Sequence, residues 1–478
     1  MSSLFQKSTA VSILVATAFF MENLDGTVIA TALPQMGKTF HVSPVDLNIG
    51  MTAYLLMLAV FIPISGWVAD KVGARSVFVS AIAVFTFASI LCGLSNGIVA
   101  FTAARILQGI GGAMMVPVGR LVVLRTTEKS RLMEAIAYIT WPALVAPVVG
   151  PPVGGYITTY FSWHWIFYLN VPLGIVGIAL SLLWIPNLKE DKVRAFDWIG
   201  FALSSTACVT FMYGMELVGR EDTSWRSPSL YLACGGVLGI LAVMHLRRSP
   251  TPLLKLDLLK IKTFAITIEG GSLFRASISV SPFLLPLMFQ VGFGLSAFQS
   301  GMFMLGLFAG NLSMKPATTF MLRRFGFRSV LIWNGVLTAI LMLGCALLFP
   351  STPRAIILAV LFVNGLCRSM QFTCLSTLSF ADVPKPDLSS ATSFFSMITQ
   401  MSMGMGVAVG AIALRAAGLL DGNAHGAPTT KEFHIAFIFV AALTLIGTID
   451  CFSLEPDAGA AVTGHRLSPV QEKTSAAT

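Results

Sequence analysis

Residues 66–77 read GWVADKVGARSV, a short polar turn set between two apolar runs, 47–68 and 76–95. Each run reaches the roughly 20 residues that a helix, rising about 1.5 Å per residue, needs to cross a hydrocarbon core of about 30 Å. The turn recurs. Residues 324–330 read RFGFRSV, so Lys71, Gly73, Arg75, Ser76 and Val77 return as Arg324, Gly326, Arg328, Ser329 and Val330. A repeated polar turn between spanning runs points to a duplicated helical bundle in a membrane.

Working outward, the same pattern fills the chain. Of 478 residues, 55% are hydrophobic and 11% charged, with a mean hydropathy of +0.80. Soluble domains carry about 25% charged residues, so an all-α polytopic membrane protein is expected. Apolar runs occupy 11–33, 47–68, 76–95, 98–124, 135–158, 165–186, 196–217, 228–247, 264–290, 298–321, 329–349, 354–380, 388–417 and 432–454, which makes fourteen. The two copies of the turn stand eight runs apart. Two six-helix halves would place them six apart, so two extra runs, 196–217 and 228–247, sit between the halves. The expected organisation is a six-helix bundle over 1–190, two inserted spans and a tether over 191–262, a second bundle over 263–454 and a disordered tail over 455–478. The basic stretch 248–263, with Pro250 and Pro252, reads as a surface-lying connection.

Lys and Arg are retained on the cytoplasmic side of membrane proteins. With the amino terminus inside, residues such as Lys71, Arg75, Arg125, Lys129, Arg247, Arg248, Arg323 and Arg324 all fall on that side, and few fall opposite. Both termini are expected to be cytoplasmic, in an inner or plasma membrane. The net charge of +9 is explained by this asymmetry, so no nucleic-acid surface is read from it. The first run carries Glu22 and Asp25 and is read as a retained span rather than a signal peptide. The seven cysteines show no metal or disulfide spacing. No soluble domain large enough for an ATPase is expected, nor any cofactor or metal. Scattered histidines without a nucleophile–base pattern argue against an enzyme.

In the turn itself, Gly66 allows a close helix approach and Gly73 a tight bend. Asp70 beside Lys71 and Arg75 forms a charge cluster able to latch helices. LDGTVIATALP (24–34), RILQGIGGAMMVPVGR (105–120) and GPPVGGYI (150–157) complete the set of motifs. Together with the turn, they resemble the motifs of the major facilitator superfamily, and in particular its fourteen-span drug/proton antiporters. GGAMMVPVGRL (111–121) and SWHWIF (162–167) are most similar to MdtD-type permeases of that family. The resemblance implies two six-helix bundles plus two extra central spans, and proton-coupled export by alternating access.

The residues support such chemistry on their own terms. A carboxylate within a span costs about 2.5–3.5 kcal/mol on insertion scales and so faces a cavity or a partner. Asp25 and Glu22 are such groups, and either could exchange a proton. The resemblance favours Asp25 for proton coupling and assigns Arg105 to proton transfer. Static pairing of the acid with a basic residue is the plain alternative. Pro147, Gly150, Pro151, Gly154 and Gly155 are expected to break and bend the fifth span, making it a pivot. Substrate-cavity candidates are Gln108, Met114, Met115, Trp141, Arg275, Lys315 and Arg368. The three cations among them would favour an anionic or zwitterionic substrate, whereas Glu22 and Asp25 would favour a cation. The readings weighed are a proton-coupled exporter of small amphipathic compounds, a transporter of a specific organic anion or metabolite, and a non-transporting scaffold or sensor. The expected partners are protons, a small molecule and the lipid bilayer.

Overall fold

The computed structural model describes residues 2–42, 47–187, 189, 195–218, 226–422 and 428–463. Among them there is helix and no strand, because a backbone crossing lipid must satisfy its own polar groups. The first bundle holds α1 (Ser2–Phe40), α2 (48–72), α3 (Ala74–Gly93), α4 (Ile98–Thr126), α5 (Leu132–Tyr160) and α6 (His164–Trp184). An inserted pair follows, α7 (Trp198–Val218) and α8 (Arg226–Arg248). The second bundle holds α9 (Lys262–Gly292), α10 (297–325), α11 (327–346), α12 (Arg354–Ala381), α13 (Leu388–Leu420) and α14 (Thr430–Ile449).

Twelve helices among the described residues are long and apolar enough to cross a membrane by length and composition. α5 and the Ala297–Ser313 part of α10 stand outside that twelve, so the expected fourteen spans are not all reached on those grounds. Local sequence explains local irregularity. In α2, Pro63 lacks an amide donor, and the helix passes through the 3-10 turn Ile62–Ile64 there. In α9, a π-helical turn at Met288–Gly292 follows Pro286. In contrast, α5 runs as one unbroken helix, which corrects the expectation that its prolines and glycines would break it.

The repeated turns share one backbone solution. Gly73 has φ 101° and Gly326 has φ 72°, and each joins two helices with no intervening loop. Both angles lie where a Cβ is disfavoured. Each turn is also met by the segment that follows the last helix of its own bundle. Ser76 Oγ donates to Asn187 Oδ1 at 3.4 Å, and Arg328 Nη2 donates to the Phe452 carbonyl at 3.1 Å.

Packing divides the molecule unequally along its long axis. One hydrophobic core spans both bundles at the end that carries the repeated turns, joining residues such as Phe78, Leu121 and Ile136 to Phe264, Phe327 and Phe395. At the other end the bundles keep separate cores, around Phe101 and Trp163 in the first and Phe289 and Phe437 in the second. Two segments expected to stay out of any core, the surface-lying connection and the disordered tail, contribute to the shared core. Leu253, Leu254 and Leu258 of the 248–263 connection are buried in it, because apolar side chains follow its prolines. The tail is folded over 455–463, where Val462 is buried and the turn Ala460–Thr463 packs on 129–131, α5 and the second bundle. Residues 464–478 lie outside those described.

Candidate functional site

Three helices meet at Asp25 of α1. Its Oδ2 accepts from Arg105 Nη1 of α4 at 2.6 Å, and both side chains are 1% exposed or less. Its Oδ1 accepts from Gln108 Nε2 at 2.9 Å and from Asn170 Nδ2 of α6 at 3.0 Å. Gln108 lies one turn along α4 from Arg105 and accepts from Arg105 Nη1 at 2.5 Å while donating to Ser89 Oγ of α3 at 2.8 Å. The Arg105 guanidinium rests over the Tyr54 ring of α2, 4.3 Å from its centroid. Burying an ion pair is costly, and charge-assisted hydrogen bonds that fill the remaining lone pairs offset the cost. Asp25 thus ties α1, α4 and α6 into one polar cluster that also reaches α3.

Glu22 meets a different environment. Three residues along a helix turn its direction by about 60° from Asp25, enough to point it between the bundles. There a cavity of about 190 Å³ is lined by Glu22, Arg120, Arg275 and Arg368, with an apolar wall including Phe19, Leu58, Phe372 and Met403. The arginines come from both halves. Arg120 of α4 donates to Ser396 Oγ of α13 at 3.1 Å. Arg275 of α9 donates to the Thr267 carbonyl at 3.0 Å, and Arg368 of α12 to the Ile278 carbonyl at 2.8 Å. The guanidiniums of Arg120 and Arg275 both lie over the Phe395 ring, 5.0 and 4.8 Å from its centroid. Glu22 Oε2 and Arg275 Nη2 are buried without a hydrogen-bond partner among the described residues.

At the turn-bearing end the bundles are joined by polar contacts. Asp70 accepts from Arg125 Nη2 at 2.8 Å within the first bundle and from Ser389 Oγ of α13 at 2.5 Å across the interface. Gly66 N donates to Ser393 Oγ at 2.8 Å, and Ser65 Oγ lies 2.9 Å from the same hydroxyl. A Cβ on Gly66 would collide with the Ser389 carbonyl, so only glycine permits this approach. Lys71 is exposed over the Trp67 ring, and Arg75 is half-buried.

Other residues singled out in the sequence fall elsewhere. Gln108 belongs to the Asp25 cluster, Met114 and Met115 to the hydrophobic core, and Trp141 is half exposed. Lys315 is buried and donates to Thr373 Oγ1 at 2.7 Å. None of these five lines the cavity; Arg275 and Arg368 do. Gly150 is buried against Thr27 of α1, Gly154 is buried and Gly155 half-buried. The side chains of Pro147 and Pro151 lie outside the described set. Sequence reasoning passed over Arg120, Asn170, Ser89 and the α13 serines. Arg120 carried a signal, being a cation within a span about four turns along α4 from Arg105.

Residues 15–275 and 270–471 match the family model of the Major Facilitator Superfamily. The "Putative multidrug resistance protein MdtD" of Citrobacter koseri is 36% identical over 433 residues, covering 89% of each chain. The protein of that name from Klebsiella pneumoniae is 35% identical over 448 residues, covering 93% of this chain and 94% of its own. Among solved structures, the human organic anion transporter MFSD10 (TETRAN) superposes with a TM-score of 0.63 at 13% identity, covering 94% of this chain and 99% of that one. The proton:xylose symporter XylE, bound to 6-bromo-6-deoxy-D-glucose, gives 0.63 at 11% identity, covering 94% and 96%. At those identities the structures speak for the fold alone.

Proposed function

The chain belongs to the major facilitator superfamily, and on that premise we propose that it exports small amphipathic compounds across the inner or plasma membrane in exchange for protons. The observation that carries the reading is the uneven packing. The bundles share a core and polar contacts at one end, keep separate cores at the other, and hold a charged cavity between them. Two bundles that hinge about such a cavity expose it to one face at a time. The MdtD relatives, named for multidrug resistance, support an amphipathic substrate. Loop charge supports placing the joined end in the cytoplasm, which makes this arrangement closed to the inside.

Asp25 is the proton-coupling group in this reading and Arg105 its partner. A proton on Asp25 releases Arg105, Gln108 and Asn170 together, loosening α1 from α4 and α6. Gly66, Asp70, Lys71, Gly73 and Arg75 act as the inner latch. α5, through Gly150, Gly154 and Gly155, is the helix along which the halves pivot. Exchange requires that proton and substrate oppose each other's binding, and that opposition is reciprocal.

The test uses proteoliposomes with an imposed pH gradient and three isosteric probes, 2-naphthoate, 2-naphthamide and 2-naphthylmethylammonium. Gradient-driven flux of at least one probe, abolished in Asp25→Asn, is the expected result. Flux that survives Asp25→Asn removes Asp25 from coupling, and no gradient-driven flux for any probe removes the exporter reading.

A further inference from the structure

We propose that the cavity between the bundles selects ligands carrying a carboxylate or similar oxyanion on an apolar body, and that Arg275 is the principal anchor of that group. This rests on the transport reading and names the substrate class of its cavity.

Charge comes first. The lining holds three arginines, Arg120, Arg275 and Arg368, against one acid, Glu22. Guanidinium groups at bilayer depth need partners, and these have few. Arg120 and Arg368 each spend one Nη1 contact on a neutral oxygen, the Ser396 hydroxyl and the Ile278 carbonyl. No ion pair joins any of the three to an acid within 4.0 Å among the described residues. By contrast Arg105, in the same helix as Arg120, is ion-paired with Asp25. The first bundle therefore ion-pairs the cation in its interior and leaves the one on the cavity without an acid in contact.

Geometry comes second. Arg275 is 1% exposed, its Nη1 is taken by the Thr267 carbonyl, and its Nη2 is buried with no partner. A buried N–H of a charged group left unpaired costs more than a neutral one, and a ligand carboxylate removes that cost. Phe395 holds Arg120 and Arg275 over one ring, so cations from both halves converge on one place. An oxyanion there would bridge α4 of the first bundle and α9 of the second. Arginine's planar fork suits bidentate binding of such a group. The apolar wall of Phe19, Leu58, Phe372 and Met403 accommodates the hydrocarbon body.

Glu22 shapes the selectivity. When ionised, its carboxylate repels an anion in the same cavity, so deprotonated Glu22 limits affinity where the arginines supply it. Opposition between proton and anion then falls to Asp25, which stands outside the lining.

Binding of the three naphthalene probes to the purified full chain in nanodiscs, read by isothermal titration, tests this. Expected are a Kd for 2-naphthoate about tenfold or more below those of the amide and the ammonium, a loss of that preference in Arg275→Gln, its partial retention in Arg275→Lys, and tighter naphthoate binding in Glu22→Gln. A Glu22→Gln gain cannot arise from misfolding. Tightest binding by the ammonium, equal binding by naphthoate and amide, an unchanged preference in Arg275→Gln, or no binding by any probe each overturns the proposal. Anion preference without gradient-driven flux would overturn the transport reading alone, and flux with cation preference would overturn this inference alone.

Discussion

At the scale of single residues, the molecule treats its buried charges in two ways. Asp25 and Arg105 are matched and dry, with the acid accepting three N–H donors. Breaking a buried pair by removing one partner costs about 3–5 kcal/mol, because the other charge is left uncompensated, while removing both costs far less. Asp25→Asn and Arg105→Gln are each expected to lower the thermal midpoint markedly, and the double variant to recover much of the loss without recovering transport. A midpoint of the double variant equal to the sum of the single losses would show that the two do not act as a pair. The sequence made Asp25 and Arg105 visible because a charge inside an apolar run stands out. It hid Asn170, whose contact with Asp25 spans 145 positions along the chain and which is polar but unremarkable near a span end. Glu22 and Asp25 looked equivalent from spacing alone. The small rotation between them, read against tertiary packing, is what separates a cluster from a cavity.

At the scale of elements, the two glycine turns and the α2–α13 contact decide how the helices join. Gly73→Ala and Gly326→Ala would hold a Cβ at φ of 101° and 72°, a strain of about 1–3 kcal/mol each. Both should lower stability by about that amount in chemical or thermal unfolding, and a negligible change would show that the turns relax freely. Gly66→Val acts differently. It forces a side chain into the Ser389 carbonyl, and overpacking costs about 1–3 kcal/mol, enough to move a two-state balance about tenfold. A cysteine at Ser390 should then react faster with a thiol reagent applied from the latch side, and unchanged reactivity would mean that this contact does not hold the end closed. The repeated turn was legible because its glycine and its charges recur together. The unbroken course of α5 was not, since proline and glycine are tolerated within a membrane helix when neighbouring helices re-satisfy the freed backbone groups.

At the scale of the whole molecule, composition and run length revealed an all-helical membrane fold, while the docking of the inserted pair required coordinates. α7 binds the first bundle by Ser205 Oγ, which donates to the Val60 carbonyl at 2.7 Å, and by Phe201 against Phe61. Toward the second bundle it offers the Cys208–Met401 sulfur contact at 3.6 Å and an apolar cluster joining Val218 to Ala408 and Ala411. The hydrogen bond and the ring contact are with the first bundle, and on that ground the pair is expected to travel with it. Cross-linking cysteines at Val60 and Ser205 is expected to leave flux largely intact. A cross-link from Cys208 to a cysteine at Met401 should arrest it, and the reverse pattern would assign the pair to the second bundle. The connection 248–263 is read as a surface segment because its basic residues dominate the reading, and the tail as disordered because small and polar residues dominate its composition. Leu253, Leu254 and Val462 dominate the packing.

What the molecule must do, if it transports, is expose one charged cavity to each face in turn. The most direct measurement places a cysteine at Thr399, a lining position, in a chain freed of its seven native cysteines, and labels sealed vesicles with an impermeant thiol reagent from either side. Reactivity from one face that switches to the other when the pH gradient is reversed is the predicted result. A position shielded from both faces under every gradient would contradict it.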